Sequence, residues 1–382
     1  MKNLILVLCF FLSHALFAQE GSYTVSGKIA GLDSERMFFS YKNEKGELIR
    51  DTIPVKGGSF TYTGKIDGMT MMSVSPGVDR VVKKADRGYY PAKSSLLQFI
   101  AYPGAKIKFS GKISDFVDAY PSGDAANNDL AALNRAVYPL MNKSVNLLVK
   151  IGNKLITDSV EVKQAYQTMG KLDQDVLAIK ESFIRKKTSS FVSAWLLGDM
   201  MLRKQVSNET AIRLYENLNR EKLRTNPFFL EVVQRVEGLH ATAVGKPAPE
   251  INSMNTYDGK AFTLASLMGK YVIIDFWGTW CVPCISGMPK MKEYLDKYKD
   301  KMEIVGVAQE SDDGTGWRRF LDKNTSYHWH HVLSRKDNDL ILKYSVAGFP
   351  TKIIVDPQGK IVARFVGEDE AIYNKLDEMF NK

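Results

Sequence analysis

A chain of 382 residues, 45% hydrophobic and 25% charged, has the make-up of an ordinary globular protein with room for two or three domains, which excludes fibrous and low-complexity classes. Its net charge of +9 comes from lysines spread along the chain, with Lys83-Lys84 and Arg185-Lys186-Lys187 as isolated clusters, so it reads as a solvated surface and no nucleic-acid partner is expected. After the opening residues nothing approaches the roughly 18 apolar residues of a spanning helix, so no stable membrane span is expected.

Residues 1–18 read as a secretory signal peptide: Lys2, an apolar run from Leu4 to Phe11, then Ser13, Ala15 and Ala18 before the polar Gln19-Glu20. Cleavage is expected after Ala18, or after Ala15, since Leu16 stands two places upstream of the first cut. Cys9 lies inside the apolar run and leaves with it, so the mature protein, periplasmic or otherwise exported, would carry only Cys281 and Cys284. A secreted chain without structural disulfides but with one closely spaced pair uses its cysteines for chemistry.

From 22 to 122 the chain reads as β. Tyr23 to Ile29, Met37 to Tyr41, Ser59 to Gly64 and Ala105 to Phe109 are short alternating or β-branched runs, punctuated by Gly57-Gly58, Pro76-Gly77 and Pro103-Gly104. An antiparallel sandwich or barrel-like module is predicted. From 124 to 240 the period changes to 3.6, with Leu130, Leu133, Val137 and Leu140 on one stripe and Phe191, Trp195, Leu196 and Met200 beginning another, which predicts an all-α segment of core-forming helices.

Val244-Gly245-Lys246-Pro247-Ala248-Pro249 is a linker by composition, and residues 244–382 alternate strands and helices. Strands are predicted at Tyr271 to Trp277 and Met302 to Gln309, with a hairpin of Lys352 to Asp356 and Ile361 to Val366 around Pro357-Gln358-Gly359. Helices are predicted at Cys281 to Tyr298, Thr315 to Asp322, Asp337 to Tyr344 and Glu370 to Phe380. The expected architecture is an α/β sandwich around a mixed sheet.

Trp280-Cys281-Val282-Pro283-Cys284 puts two thiols three residues apart at the junction of strand and helix. At the helix start, unpaired N–H groups and the macrodipole favour a thiolate on Cys281, and Cys284 one turn along can resolve a mixed disulfide formed there. Half a zinc site has the same spacing, yet no second CxxC exists and the only His cluster is His328, His330 and His331.

Ile274-Asp275-Phe276-Trp277-Gly278-Thr279-Trp280-Cys281-Val282-Pro283-Cys284, Pro289 and Gly348-Phe349-Pro350-Thr351 resemble a thioredoxin-fold protein of the TlpA/ResA-like thiol:disulfide oxidoreductases, also labelled AhpC/TSA or redoxin. Gly245-Lys246-Pro247-Ala248-Pro249, Asp258-Gly259-Lys260 and Leu267-Met268-Gly269-Lys270 belong to the same resemblance, which covers residues 244–382. The β-rich lead, with Asp51-Thr52, Gly57 to Phe60 and Pro121 to Asn128, is similar to an uncharacterised domain that often precedes such modules in secreted proteins of Gram-negative bacteria.

The resemblance implies a redox disulfide between Cys281 and Cys284, with Asp275 as the buried acid that takes the resolving thiol's proton. It implies a cis Phe349-Pro350 peptide facing the dithiol and pairing with the substrate chain. Trp280 would shield the disulfide and, with Phe349 and Pro283, form the substrate contact, while Pro289 would kink the helix. Members devoted to cytochrome c maturation carry an acid three places after the second cysteine; Gly287 stands there, which argues against haem-protein substrates. The Val282-Pro283 dipeptide without a His favours reducing behaviour, nearer about −270 mV than about −120 mV. No cofactor is implied; disulfide-bearing envelope proteins and a membrane thiol-electron donor are the expected partners.

A peroxidase would need a Pro-x-x-x-Thr-x-x-Cys loop, which does not precede Cys281. A copper-handling protein of the same fold would use cysteines four apart and a distal His; His328 and His330 would share one face of a candidate edge strand that also carries His331. A third reading makes the front two thirds a partner-binding envelope module with an accessory redox domain.

Overall fold

A computed structural model of the chain describes residues 21–42 and 48–381. The signal-peptide reading and its cleavage site lie outside the described residues. Two compact units divide the chain, one through Gly170 and one from Lys171. The helical stretch from 124 to 240 is thus shared between them.

The first unit is a sandwich of two four-stranded sheets. One sheet has the order β10-β9-β1-β4, from β1 (Gly21–Ala30), β4 (Ser59–Ile66), β9 (Lys106–Ile113) and β10 (Val117–Ser122). The other has the order β3-β2-β5-β8, from β2 (Arg36–Lys42), β3 (Leu48–Pro54), β5 (Thr70–Ser75) and β8 (Leu97–Ala101). A small pair, β6 (Lys83–Ala85) and β7 (Gly88–Tyr90), completes it. Alternation sends Tyr23, Val25 and Ile29 inward to meet Met37, Phe39, Met72, Val74, Phe99, Ile107 and Phe109 in one core. The predicted sandwich is present, but not wholly antiparallel: β1 runs parallel to β9 and antiparallel to β4.

Helix α1 (Ala125–Gly152) starts at Asp124, whose carboxylate accepts the Asn127 N–H at 2.9 Å. The fully buried Asn127 donates to Ile100 O (3.0 Å) and accepts from Ile100 N (2.9 Å), closing the edge of β8 as a neighbouring strand would. The unit boundary falls within α2 (Ser159–Lys186).

In the second unit, α3 (Phe191–Leu202) packs on α4 (Asn208–Asn217) and on α6 (Pro227–Ala241), with the short α5 (Arg220–Leu223) between the last two in sequence. A minor pair, β11 (Asn252–Ser253) and β12 (Phe262–Thr263), precedes the main sheet. That sheet has the order β15-β14-β13-β16-β17. Its strands are β13 (Tyr271–Trp277), β14 (Met302–Ala308), β15 (His330–Leu333), β16 (Thr351–Val355) and β17 (Ile361–Val366), interleaved with α7 (Val282–Lys297), α8 (Thr315–Lys323) and α9 (Leu340–Lys343) and followed by α10 (Glu370–Phe380). This is a thioredoxin fold, with β13 parallel to β14 and antiparallel to β16.

The strand β13 is apolar throughout except for Asp275, as a strand covered on both faces must be. Ile273 and Trp277 join the core that contains Cys281, Cys284 and Met288, while Val272, Ile274 and Phe276 belong to the opposite core with Leu340 and Tyr344. Behind α9, α6 approaches so closely that a Cβ on Gly238 would stand 2.8 Å from Lys343 O. Arg364 of β17 ties this seam, donating to Thr242 Oγ1 (3.0 Å), Tyr344 O (2.9 Å) and Ser345 O (2.9 Å). Two predicted elements start two or more residues later than expected. The helix predicted from Asp337 begins only at Leu340, because Asp339 caps it by accepting the Leu342 N–H at 2.9 Å. The strand predicted to hold His328 begins at His330, so His328 and His330 do not share a strand face.

Candidate functional site

Cys281 is the N-cap of α7: its backbone is extended (φ −92°, ψ 92°), and its sulfur accepts the Cys284 N–H at 3.2 Å. Pro283 sits in the first turn, where a missing N–H costs no helical hydrogen bond. The two cysteines form a disulfide with Cα atoms 5.3 Å apart. Both are buried, whereas Trp280 and Val282 beside them are 54% and 76% exposed, so a rim of apolar surface surrounds a nearly covered disulfide.

The loop that delivers Cys281 is held from below. Glu310 accepts from Thr279 N (2.7 Å) and Thr279 Oγ1 (2.8 Å), and the Trp280 indole donates to Gln309 O (2.8 Å). A side chain at Gly278 would stand 2.7 Å from Gln309 O. The Phe349 ring meets that of Trp280 edge-on at 5.1 Å, which brings the loop of the cis Phe349-Pro350 peptide to the same rim. Pro350 itself is buried, and its carbonyl accepts from Gly367 N at 2.8 Å. The turn after α3 reaches this loop too: Lys204 lies over Gly348, 2.8 Å from where a Cβ would be.

Asp275 lies between Ile273 and Trp277 on the face of β13 that α7 covers, and is 2% exposed. Burial raises its pKa; Lys352 pulls it down and Glu368 pushes it up. The Lys352 ammonium is 3.8 Å from Asp275 Oδ1, too far for a hydrogen bond, and that oxygen has no hydrogen-bond partner among the described residues. Lys352 is instead 2.5 Å from Glu368 Oε2. Sequence reading missed Lys352, Glu368 and Tyr373, whose hydroxyl donates to Glu368 Oε1 at 2.9 Å. The available signal was a lysine in the apolar strand Thr351–Val355; nothing local marks Glu368.

The three neighbouring histidines diverge. His328 bonds Ser326 O, His330 lies by the Phe262 ring at 5.1 Å, and His331 is buried with Nε2 on Tyr327 O at 2.8 Å. Among the described residues no group of three or more His, Cys, Asp or Glu assembles a metal site.

A family model described as thioredoxin-like matches residues 269–361, and one described as a domain of unknown function matches residues 23–130. The chain is 36% identical over 127 residues to the thiol-disulfide oxidoreductase ResA of Bacillus thuringiensis (strain Al Hakam), covering 33% of this chain and 70% of that protein. It is 31% identical over 131 residues to the protein of the same name from Bacillus subtilis (strain 168), covering 34% and 71%. Among solved structures, the thioredoxin domain of a thiol-disulfide oxidoreductase from Bacteroides vulgatus is 32% identical, with 36% of this chain and 97% of that one covered and a TM-score of 0.33.

Proposed function

Because the chain belongs, through its C-terminal third, to the thiol-disulfide oxidoreductase family of ResA, we propose that it is an exported reductase of protein disulfides in the cell envelope. The observation that carries this reading is the seat of Cys281, at a helix N-terminus with an N–H on its sulfur and an exposed apolar rim around it. A thiolate there is stabilised, and an unfolded or extended substrate can lie against Trp280, Val282 and Phe349.

In the reaction, the Cys281 thiolate attacks one sulfur of a substrate disulfide and the other leaves as a thiolate. Cys284 then gives its proton to Asp275, and its thiolate attacks Cys281 Sγ, expelling the second substrate sulfur. The substrate gains two electrons and two protons, and Cys281 and Cys284 become a disulfide. A membrane thiol-electron donor returns two electrons to restore the dithiol. Val282-Pro283 and the lack of a His between the cysteines support the reducing direction.

Trapping tests the assignment. Cys284→Ser should hold envelope proteins in mixed disulfide on Cys281, identified after non-reducing separation. Capture by Cys281→Ser alone would reverse the roles of the two thiols. A mature N-terminus at Gln19 in the extracytoplasmic fraction is the expected mark of export.

A further inference from the structure

The sheet register sets Lys352 directly opposite Asp275, and alternation along β16 places it with Ile354 on the face that α7 covers. A lysine so placed would be expected to spend its charge on the aspartate. It divides that charge: the ammonium stays 3.8 Å from Asp275 and makes its hydrogen bond to Glu368, which arrives from the turn between β17 and α10.

Room for this acid comes from α7. A Cβ on Gly287, three residues after Cys284, would overlap the Glu368 carboxyl. Gly287 is in the helix interior without a positive φ, so close approach and not backbone freedom accounts for the glycine. Tyr373 of α10 fixes the other Glu368 oxygen. Exposure is graded along the row: the side chains of Asp275 and Lys352 are 3% and 1% exposed, that of Glu368 22%.

We propose that Glu368 is a positioning residue for the resolving half-reaction, which holds Lys352 away from Asp275 and opens to solvent the path by which the Cys284 proton leaves. The proposal rests on the reductase reading. When Cys284 gives its proton to Asp275, the carboxylic acid turns to close the 3.8 Å gap to Lys352 and then passes its proton on as Lys352 passes one to Glu368, 2.5 Å away, and Glu368 releases it to water. No charge accumulates inside, and no further reagent is needed. The groups facing this row are Cys284 and Lys290 from α7, Tyr373 and Glu370 from α10; Lys290 lies 4.3 Å over the Tyr373 ring and pairs with Glu370, so its charge is already engaged. The raised pKa of Asp275, to which Glu368 contributes, agrees with this arrangement.

The test uses the reduced full-length protein and one equivalent of dithiobis(nitrobenzoate), whose coloured thiolate is released twice: first on Cys281 attack, then on Cys284 attack. Glu368→Gln frees Lys352 for Asp275, so the second release should slow about tenfold while the first is unchanged. The Asp275 carboxyl, followed by carbon NMR, should titrate at lower pH than in the parent. Gly287→Glu combined with Glu368→Ala clears the carboxyl that the new side chain would overlap, supplies an acid to the same seat from α7 and should restore the second release. Tyr373→Phe removes one hydrogen bond and should give a smaller change of the same sign, which serves as the folded variant should Glu368→Gln not fold. Unchanged second release and Asp275 titration would overturn the proposal, as would equal slowing of both releases. Failure of the parent protein to give two releases would instead sink the reductase reading.

Discussion

Lys83 in the sandwich and Lys352 in the mixed sheet are both withdrawn from water, and each has a carboxylate oxygen 3.8 Å away. Their nearest partners differ. Lys83 donates to Asp115 O (2.6 Å) and Asn146 Oδ1 (2.9 Å), oxygens that do not take up protons near neutral pH, while the Asp115 carboxylate is over half exposed. Lys352 stands between two carboxylates, one sealed and one wet. The first arrangement satisfies a buried charge; the second can also move a proton. Burial alone therefore does not separate the two lysines; the titratability of what surrounds them does.

The largest expected effect separates the two lysines. Lys352→Met should slow Cys284 resolution on the order of a hundredfold, because Asp275, without a cation nearby, stays protonated and cannot accept the thiol proton. Lys83→Met should leave insulin reduction unchanged and destabilise the sandwich by about 1–3 kcal/mol in denaturant unfolding, through the acceptors it leaves unpaired. Slowed reduction in Lys83→Met, or full turnover in Lys352→Met, would break the contrast.

The two regions also differ in how openly the sequence displays them. The strand Tyr271–Trp277 and the helix Glu370–Phe380 are legible to the residue, since an apolar run broken only by Asp275 and an Asp369 cap bound them locally. The pair Cys281 and Cys284 is legible for the same reason: three-residue spacing at a helix start is a local fact. The acid opposite Gly287 is not. Gly287 reads as a lost carboxylate, yet the seat is filled by Glu368 from far along the chain, through a sheet register and a helix packing that no local pattern encodes. The parallel pairing of β1 with β9 is hidden likewise, because strand signals carry no direction.

A smaller effect comes from acid. Among the described residues the sandwich unit has no histidine, whereas His331 is sealed in the mixed sheet with its pKa lowered by burial to about 4. The unfolded chain binds that proton from about pH 6.5 downward and the folded one only near pH 4, so this stability is whole above pH 6.5 and is lost as pH falls. At pH 5 the loss should be about 2 kcal/mol, seen as lowered melting of the second unit and absent from His331→Leu. A sandwich signal that weakens over the same pH range would show that the two units do not respond separately.

The smallest effects are the sharpest, because the same substitution should act with opposite sign in the two regions. Asp275 has a folded pKa raised by burial, so the folded chain holds its proton longer and stability is lost as pH rises from the unfolded value through the folded one. Asp275→Asn should recover it, gaining about 1 kcal/mol at neutral pH and nothing below the unfolded pKa, even as it impairs resolution. For Asp115, burial pushes the pKa up, but the Asn142 and Asn146 amides and Lys83 outweigh it and hold the carboxyl below its ordinary value. Its contribution is present above the unfolded pKa and fades as pH falls, so Asp115→Asn should cost a few tenths of a kcal/mol at neutral pH, limited by its exposure, and less in acid. Paired unfolding curves at pH 7 and pH 4 would read both signs. A loss of stability in Asp275→Asn at pH 7 would mean that Lys352 serves that aspartate first, and the division of labour between Glu368 and Asp275 would fall with it.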